Sequence, residues 1–155
     1  MSRDATALAT LIEKSVRNKA DVVAEDEREA GARALLNFGH TFGHALETVT
    51  GYSEYLHGEA ISIGMVVAAK LSESRDLCRE GVSDRLSKLL IKLGLPVTLP
   101  GHLSLETFME TMALDKKVLS GQLRLVLLTD LGKAVIDSGS KADEIHSCLL
   151  EASDD

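Results

Sequence analysis

Leu35-Leu-Asn-Phe-Gly-His40-Thr-Phe-Gly-His44-Ala-Leu-Glu47 is the stretch that decides how this chain reads. His40 and His44 are four residues apart, so on a helix their side chains share one face, one turn apart. The spacing predicts a helix from Arg33 to Thr50, with Gly51 as its C-terminal stop. Gly39 and Gly43 lower helix propensity by about 1 kcal/mol each. A helix that keeps both needs close approach of a backbone or a ligand there. Asn37 and Thr41 are polar where a core helix wants leucine, and such a run buries poorly unless its polar groups meet a partner.

Outward from it, Gly51-Tyr-Ser-Glu-Tyr-Leu-His57-Gly58 reads as a loop. His57 falls at its junction with the next helix, able to fold back onto the His40/His44 face. Imidazole is the commonest metal ligand, and two histidines with one acidic oxygen make a familiar catalytic zinc set. A lone HxxxH arises by chance on helices; a third histidine beside a glycine strengthens the signal. Residues Glu59 to Leu77, with the run AISIGMVVAAKL, read as a buried central helix. Val82 to Leu93 is amphipathic, with Leu86, Leu89, Leu90 and Leu93 on one stripe, Ser83 as N-cap, and Gly94 and Pro96 as the stop. A short helix follows from Ser104 to Leu114, capped by Ser104, with Glu106 and Glu110 exposed. Gln122 to Leu128 and Ala134 to Ile136 read as a β-hairpin. Ser140 and Glu144 are placed to cap a final helix. Upstream, Leu8, Leu11, Ile12, Val16 and Ala20 recur at helical spacing over Ala5–Glu25, and Glu25–Glu29 is a charge run suited to a solvated turn. The fold class expected is mainly α: a multi-helix bundle carrying one small hairpin, as one domain over 1–155. No repeat, low-complexity segment or linker divides it.

Composition narrows the function. The chain has 155 residues, 3% aromatic and no tryptophan, so its core must be built from Leu, Val, Ile and Ala. A net charge of −7 with no basic stretch argues against nucleic acid as a partner. A local basic pocket for a small anion remains compatible with it. Cys78 and Cys148 form no CxxC pattern, which fits small buried residues in a reducing cytoplasm. No apolar run approaches the roughly 18–20 residues of a membrane span, and the N-terminus lacks the apolar core of a signal peptide.

Leu36–Glu47, together with Leu56-His-Gly-Glu-Ala-Ile-Ser-Ile-Gly-Met65, closely resembles the signature of the 3-dehydroquinate synthases. The resemblance runs upstream through Lys19-Ala-Asp-Val-Val23 and Asp26-Glu-Arg-Glu-Ala-Gly-Ala-Arg33. Downstream it reaches Gly94-Leu-Pro96, Asp115-Lys-Lys117 and Leu123–Leu128, and so covers nearly the whole chain in order. It implies the helical C-terminal domain of the dehydroquinate synthase-like and iron-type alcohol dehydrogenase-like fold. It also implies His40 and His57 as ligands of zinc or another divalent metal such as cobalt, and His44 near the substrate phosphate, handling protons. Lys19, Glu29, Arg33 and Asn37 match substrate-pocket positions, Lys19 and Glu29 with catalytic roles. Arg33, Lys116 and Lys117 match phosphate or carboxylate contacts, Lys116 being the favoured lysine of its pair. Taken alone, each of these charged residues is more often a solvated surface group; only their joint placement reverses that. Guanidinium and ammonium groups suit a substrate carrying phosphate and carboxylate.

The reaction so implied converts the phosphorylated keto-sugar acid DAHP into 3-dehydroquinate and phosphate, in the shikimate route to aromatic amino acids. A bound NAD transiently oxidises one hydroxyl, phosphate is eliminated, the carbonyl is reduced again and an aldol step closes the ring. The resemblance further implies a cytoplasmic enzyme and a homodimer at full length. The chain departs from the family in length. The glycine-rich NAD-binding segment belongs to an N-terminal α/β domain with no counterpart here, and no GxGxxG turn or βαβ alternation occurs. The glutamate that would complete the metal set also lies upstream of this sequence; Glu13, Glu25 and Glu27 fall outside its motif, so no acidic ligand is assigned. The expectation is weak zinc binding and no synthase activity by this chain alone. Competing readings are a related sugar-phosphate cyclase making valiolone- or inosose-type rings, a metal-dependent polyol dehydrogenase, and a non-catalytic folding or interaction module.

Overall fold

A computed structural model describes residues 4–26, 31–118 and 123–154, apart from the side chains of 32 and 115–118. The chain divides into two compact units, Met1–Leu36 and Asn37–Asp155.

In the first unit, α1 spans Ala5–Glu25, as the periodicity predicts. Asp4 caps it, its carboxylate accepting the Ala7 N–H at 2.7 Å. The apolar residues Leu8, Leu11, Ile12 and Val16 are exposed. Past the helix end, the Asp26 carboxylate accepts N–H bonds from Gly31 at 2.6 Å and Arg33 at 3.1 Å, and a 3-10 turn follows over Ala32–Asn37.

The helix expected over 33–50 is therefore two pieces. The 3-10 turn ends at Asn37, Gly39 adopts φ +82°, and α2 starts only at His40 and runs to Val49. That left-handed backbone suits glycine and breaks the helical path. Gly51 stops α2 as expected: Tyr52 N–H donates to the Glu47 carbonyl at 2.8 Å and Gly51 N–H to Thr48 at 3.1 Å, a Schellman closure. α3 spans His57–Ser74, beginning two residues before the predicted start, so His57 is its first residue rather than part of the loop. The Leu56 N–H is satisfied by the Glu59 carboxylate at 2.8 Å.

α3 is the central helix. Ala60, Ile63, Val67, Ala68 and Leu71 are buried in one cluster with Phe42 and Leu46 of α2. The glycines explain how α2 and α3 come so close. A Cβ on Gly39 would lie 2.6 Å from the Met65 nitrogen, and one on Gly64 would fall on the Gly39 carbonyl oxygen. Around this pair stand α4 (Val82–Lys92), α5 (Leu105–Val118) and α6 (Ala142–Ala152). Phe108 and Met112 of α5 and Ile145, Cys148 and Leu149 of α6 complete the core.

The hairpin is β1 (Leu125–Asp130) paired antiparallel with β2 (Lys133–Asp137), Leu127 facing Val135. Leu125 and Leu127 point into the core, and Leu128 N–H donates to Ser72 Oγ of α3 at 2.9 Å. Gln122, where the strand was expected to begin, lies outside the described residues. Ser104 caps α5 as expected, accepting the Thr107 N–H at 3.3 Å. Two other caps differ. Gly81 occupies the N-cap of α4, and Ser83 is held by Glu73 of α3, which accepts its N–H at 2.8 Å and its hydroxyl at 2.5 Å. Lys141 is the N-cap of α6, its N–H donated to Glu144 at 2.8 Å, while the Ser140 hydroxyl donates to Asp137. Both serines satisfy tertiary partners that spacing alone does not reveal. The architecture is thus mainly helical with one small hairpin, as composition and periodicity predicted. No helix among the described residues is long and apolar enough to cross a membrane.

Candidate functional site

His40 opens α2, His44 follows one turn later, and His57 opens α3, so the tight α2–α3 crossing brings all three imidazoles together. Ring centroids lie 5.4 Å apart for His40–His44, 5.6 Å for His40–His57 and 5.8 Å for His44–His57. Imidazoles sharing one tetrahedral zinc through bonds of about 2.0–2.1 Å keep their centroids roughly 5 Å apart. The ring spacing is therefore close to that of a single-ion site, although His40 is not among the residues whose ligand atoms converge most tightly.

His40 is half-buried; burial pushes its imidazole below the usual value, and His44 and His57 lower it further. The Phe38 carbonyl, 3.5 Å from Nδ1, and Glu47 act the other way without reversing the shift. The neutral ring, which alone can offer a lone pair, is favoured.

A fourth group joins the histidines. Glu47, buried on α2, places Oε1 3.0 Å from His57 Nδ1. Ligand atoms of His44, Glu47 and His57 all lie within 4.8 Å of one another. These three border a cavity of about 630 Å³ that also meets Thr41, Thr48 and Tyr52 and, from α5, Thr111 and Met112. That volume and mixed lining fit a small polar molecule. Sequence reasoning assigned no acidic group here. The signal was present in the quoted stretch, because Glu47 is three residues beyond His44 and seven beyond His40, on the same helical face.

The other expected site residues are placed less fully. Asn37 ends the 3-10 turn, three residues before His40. Lys19 is exposed on α1 and Arg33 is half-buried in the 3-10 turn, both within the Met1–Leu36 unit. Glu29 lies outside the described residues. Lys116 and Lys117 fall in the last turn of α5, and their side chains lie outside the described set.

Residues 1–118 match the family described as 3-dehydroquinate synthase C-terminal. The 3-dehydroquinate synthase of Nitrosococcus oceani is 49% identical over 98% of this chain and 42% of its own length. That of Acinetobacter baylyi is 46% identical over 95% of this chain and 40% of its own. The chain thus spans about two fifths of the length of these relatives. Among solved structures, the 2-epi-5-epi-valiolone synthase of Streptomyces hygroscopicus subsp. jinggangensis, with NAD+ and Zn2+ bound, aligns with a TM-score of 0.82 at 27% identity. The alignment covers 97% of this chain and 41% of that one. A 2-deoxy-scyllo-inosose synthase complexed with carbaglucose-6-phosphate, NAD+ and Co2+ aligns at 0.80 and 26% identity, over 95% of this chain and 41% of that one.

Proposed function

The chain belongs to the 3-dehydroquinate synthase C-terminal family, and from that premise we propose that it supplies the metal- and substrate-handling part of a synthase acting on DAHP. The observation carrying this reading is the convergence of three imidazoles, 5.4–5.8 Å apart, at the crossing of the two helices that bear the family signature.

The donor chemistry fits a divalent metal: three imidazoles lie together, and two of them, His44 and His57, border one cavity. His40 and His57 are the residues that would hold it, and the ion would supply Lewis acidity toward substrate oxygens. His44 is exposed at the cavity, and in this reading it takes or returns a proton beside the departing phosphate. Lys19 and Glu29 have catalytic roles in the proposed reading; Arg33, Asn37, Lys116 and Lys117 bind the substrate's phosphate and carboxylate. In this reading NAD supplies the hydride chemistry and is bound mainly by residues other than those of this chain. The two strands among the described residues form an antiparallel hairpin rather than the strand–turn–helix unit of a dinucleotide site.

Support for dehydroquinate rather than valiolone or inosose chemistry comes from identity: 46–49% to the named synthases against 26–27% to the two cyclases. The test is reconstitution. This chain, the N-terminal segment of the Nitrosococcus oceani relative, NAD and Zn2+ are combined with DAHP, and phosphate release is followed. Neither part alone should turn over, and the mixture should. Full-rate turnover by this chain alone, or turnover by the mixture only on the substrates of the valiolone- and inosose-forming relatives, contradicts the proposal.

A further inference from the structure

Glu47 is a buried carboxylate to which the proposed reaction gives no work. Its side chain is 9% exposed while that of its partner His57 is 58% exposed. Placing a carboxylate in such surroundings is costly unless it is hydrogen-bonded. Among the described residues its carboxylate makes one hydrogen bond, to His57 Nδ1 at 3.0 Å. The backbone beneath it is fixed: the Glu47 carbonyl accepts the Tyr52 N–H at 2.8 Å and the Thr50 hydroxyl at 3.3 Å. A rigid, buried acceptor thus meets an exposed imidazole on the first residue of a helix.

We infer that Glu47 is the positioning residue of this centre: it holds His57 as the Nδ1–H tautomer and so leaves Nε2 as the lone-pair atom available to a divalent metal. The inference rests on the metal reading given above. A carboxylate only accepts, so the nitrogen facing it must carry the proton. A neutral imidazole has one proton to place, and donating it to Glu47 decides which nitrogen is the ligand. Carboxylates that accept the second N–H of a ligating histidine orient the ring and raise its basicity, and their loss typically lowers metal affinity by about 10–100-fold.

Glu47→Gln keeps the side-chain shape and a carbonyl acceptor, whereas Glu47→Ala removes both. The experiment records long-range 1H–15N correlations of the histidine rings in the metal-free, 15N-labelled chain, and then titrates each variant with Zn2+. His57 should appear as the Nδ1–H tautomer in the parent chain and in Glu47→Gln. It should shift toward Nε2–H in Glu47→Ala, with zinc affinity about 10–100-fold lower there and largely kept in Glu47→Gln. An Nε2–H tautomer in the parent chain overturns the inference even where the alanine variant fails to fold. A tautomer unchanged by Glu47→Ala does the same. Equal loss of zinc in both variants also overturns it, by making Glu47 a direct ligand. Failure of the metal reading looks different: the parent chain takes up no zinc while the tautomer pattern stands.

Discussion

Asp137 illustrates at single-residue scale what a carboxylate needs in this fold. Its Oδ2 accepts Arg75 Nη1 at 2.6 Å, the Ser140 hydroxyl at 2.7 Å and the Ser140 N–H at 2.9 Å. Burial alone would raise its pKa, but the Ser140 and Arg75 hydrogen bonds outweigh that and hold it below the usual carboxylate value. Between its lowered folded value and its ordinary unfolded one, the folded chain binds fewer protons than the unfolded chain. The stabilisation is therefore full above the ordinary carboxylate range and declines as pH falls toward the folded value. Asp137→Asn should lower stability at neutral pH by about 1.5–3 kcal/mol, the range for hydrogen bonds to charged groups, and flatten that acid limb. Urea unfolding midpoints across a pH series measure it; parallel curves for parent and variant would contradict it. Glu47 meets the same requirement through His57, and for that reason it was hidden. Spacing puts it on the histidine face, but only the fold reveals its burial and partner.

Among the elements, the α2–α3 crossing sets the geometry of the site. The paired glycines of the quoted stretch were legible as a demand for close approach, and the backbone of α3 is what approaches. Gly64, on the facing helix, drew no attention in the sequence, because its role exists only against Gly39. A Cβ there would also lie 2.8 Å from the Gly43 nitrogen. Gly64→Ala should destabilise the Asn37–Asp155 unit by about 1–3 kcal/mol through overpacking, despite alanine's better helix propensity. It should also weaken zinc uptake, since α3 carries His57 and α2 carries His40. An unfolding midpoint and a zinc affinity equal to the parent's would contradict this. The start of α2 was misread for a related reason. Periodicity runs on through Gly39, whereas its left-handed backbone restarts the helix at His40. Local periodicity gave α1 and α4 nearly to the residue, and it gave the hairpin with its turn drawn too long, since Thr129 and Asp130 extend β1 and Lys133 opens β2.

At the scale of the molecule, composition predicted an aliphatic, mainly helical fold, and the core of Leu, Ile, Val and Ala with Phe42 and Phe108 matches it. What the sequence could not deliver is the division into Met1–Leu36 and Asn37–Asp155, since no linker composition marks residue 36. Family membership rests on residues 1–118 and on relatives of which this chain spans about two fifths. The central claim is that His40 and His57 hold a divalent metal. Calorimetric titration of the purified chain with Zn2+ tests it most directly. One weak site is expected, which disappears in His40→Ala and in His57→Ala and survives, at reduced affinity, in His44→Ala. No binding by the parent chain, or binding that persists unchanged in the His40→Ala/His57→Ala double variant, would contradict it.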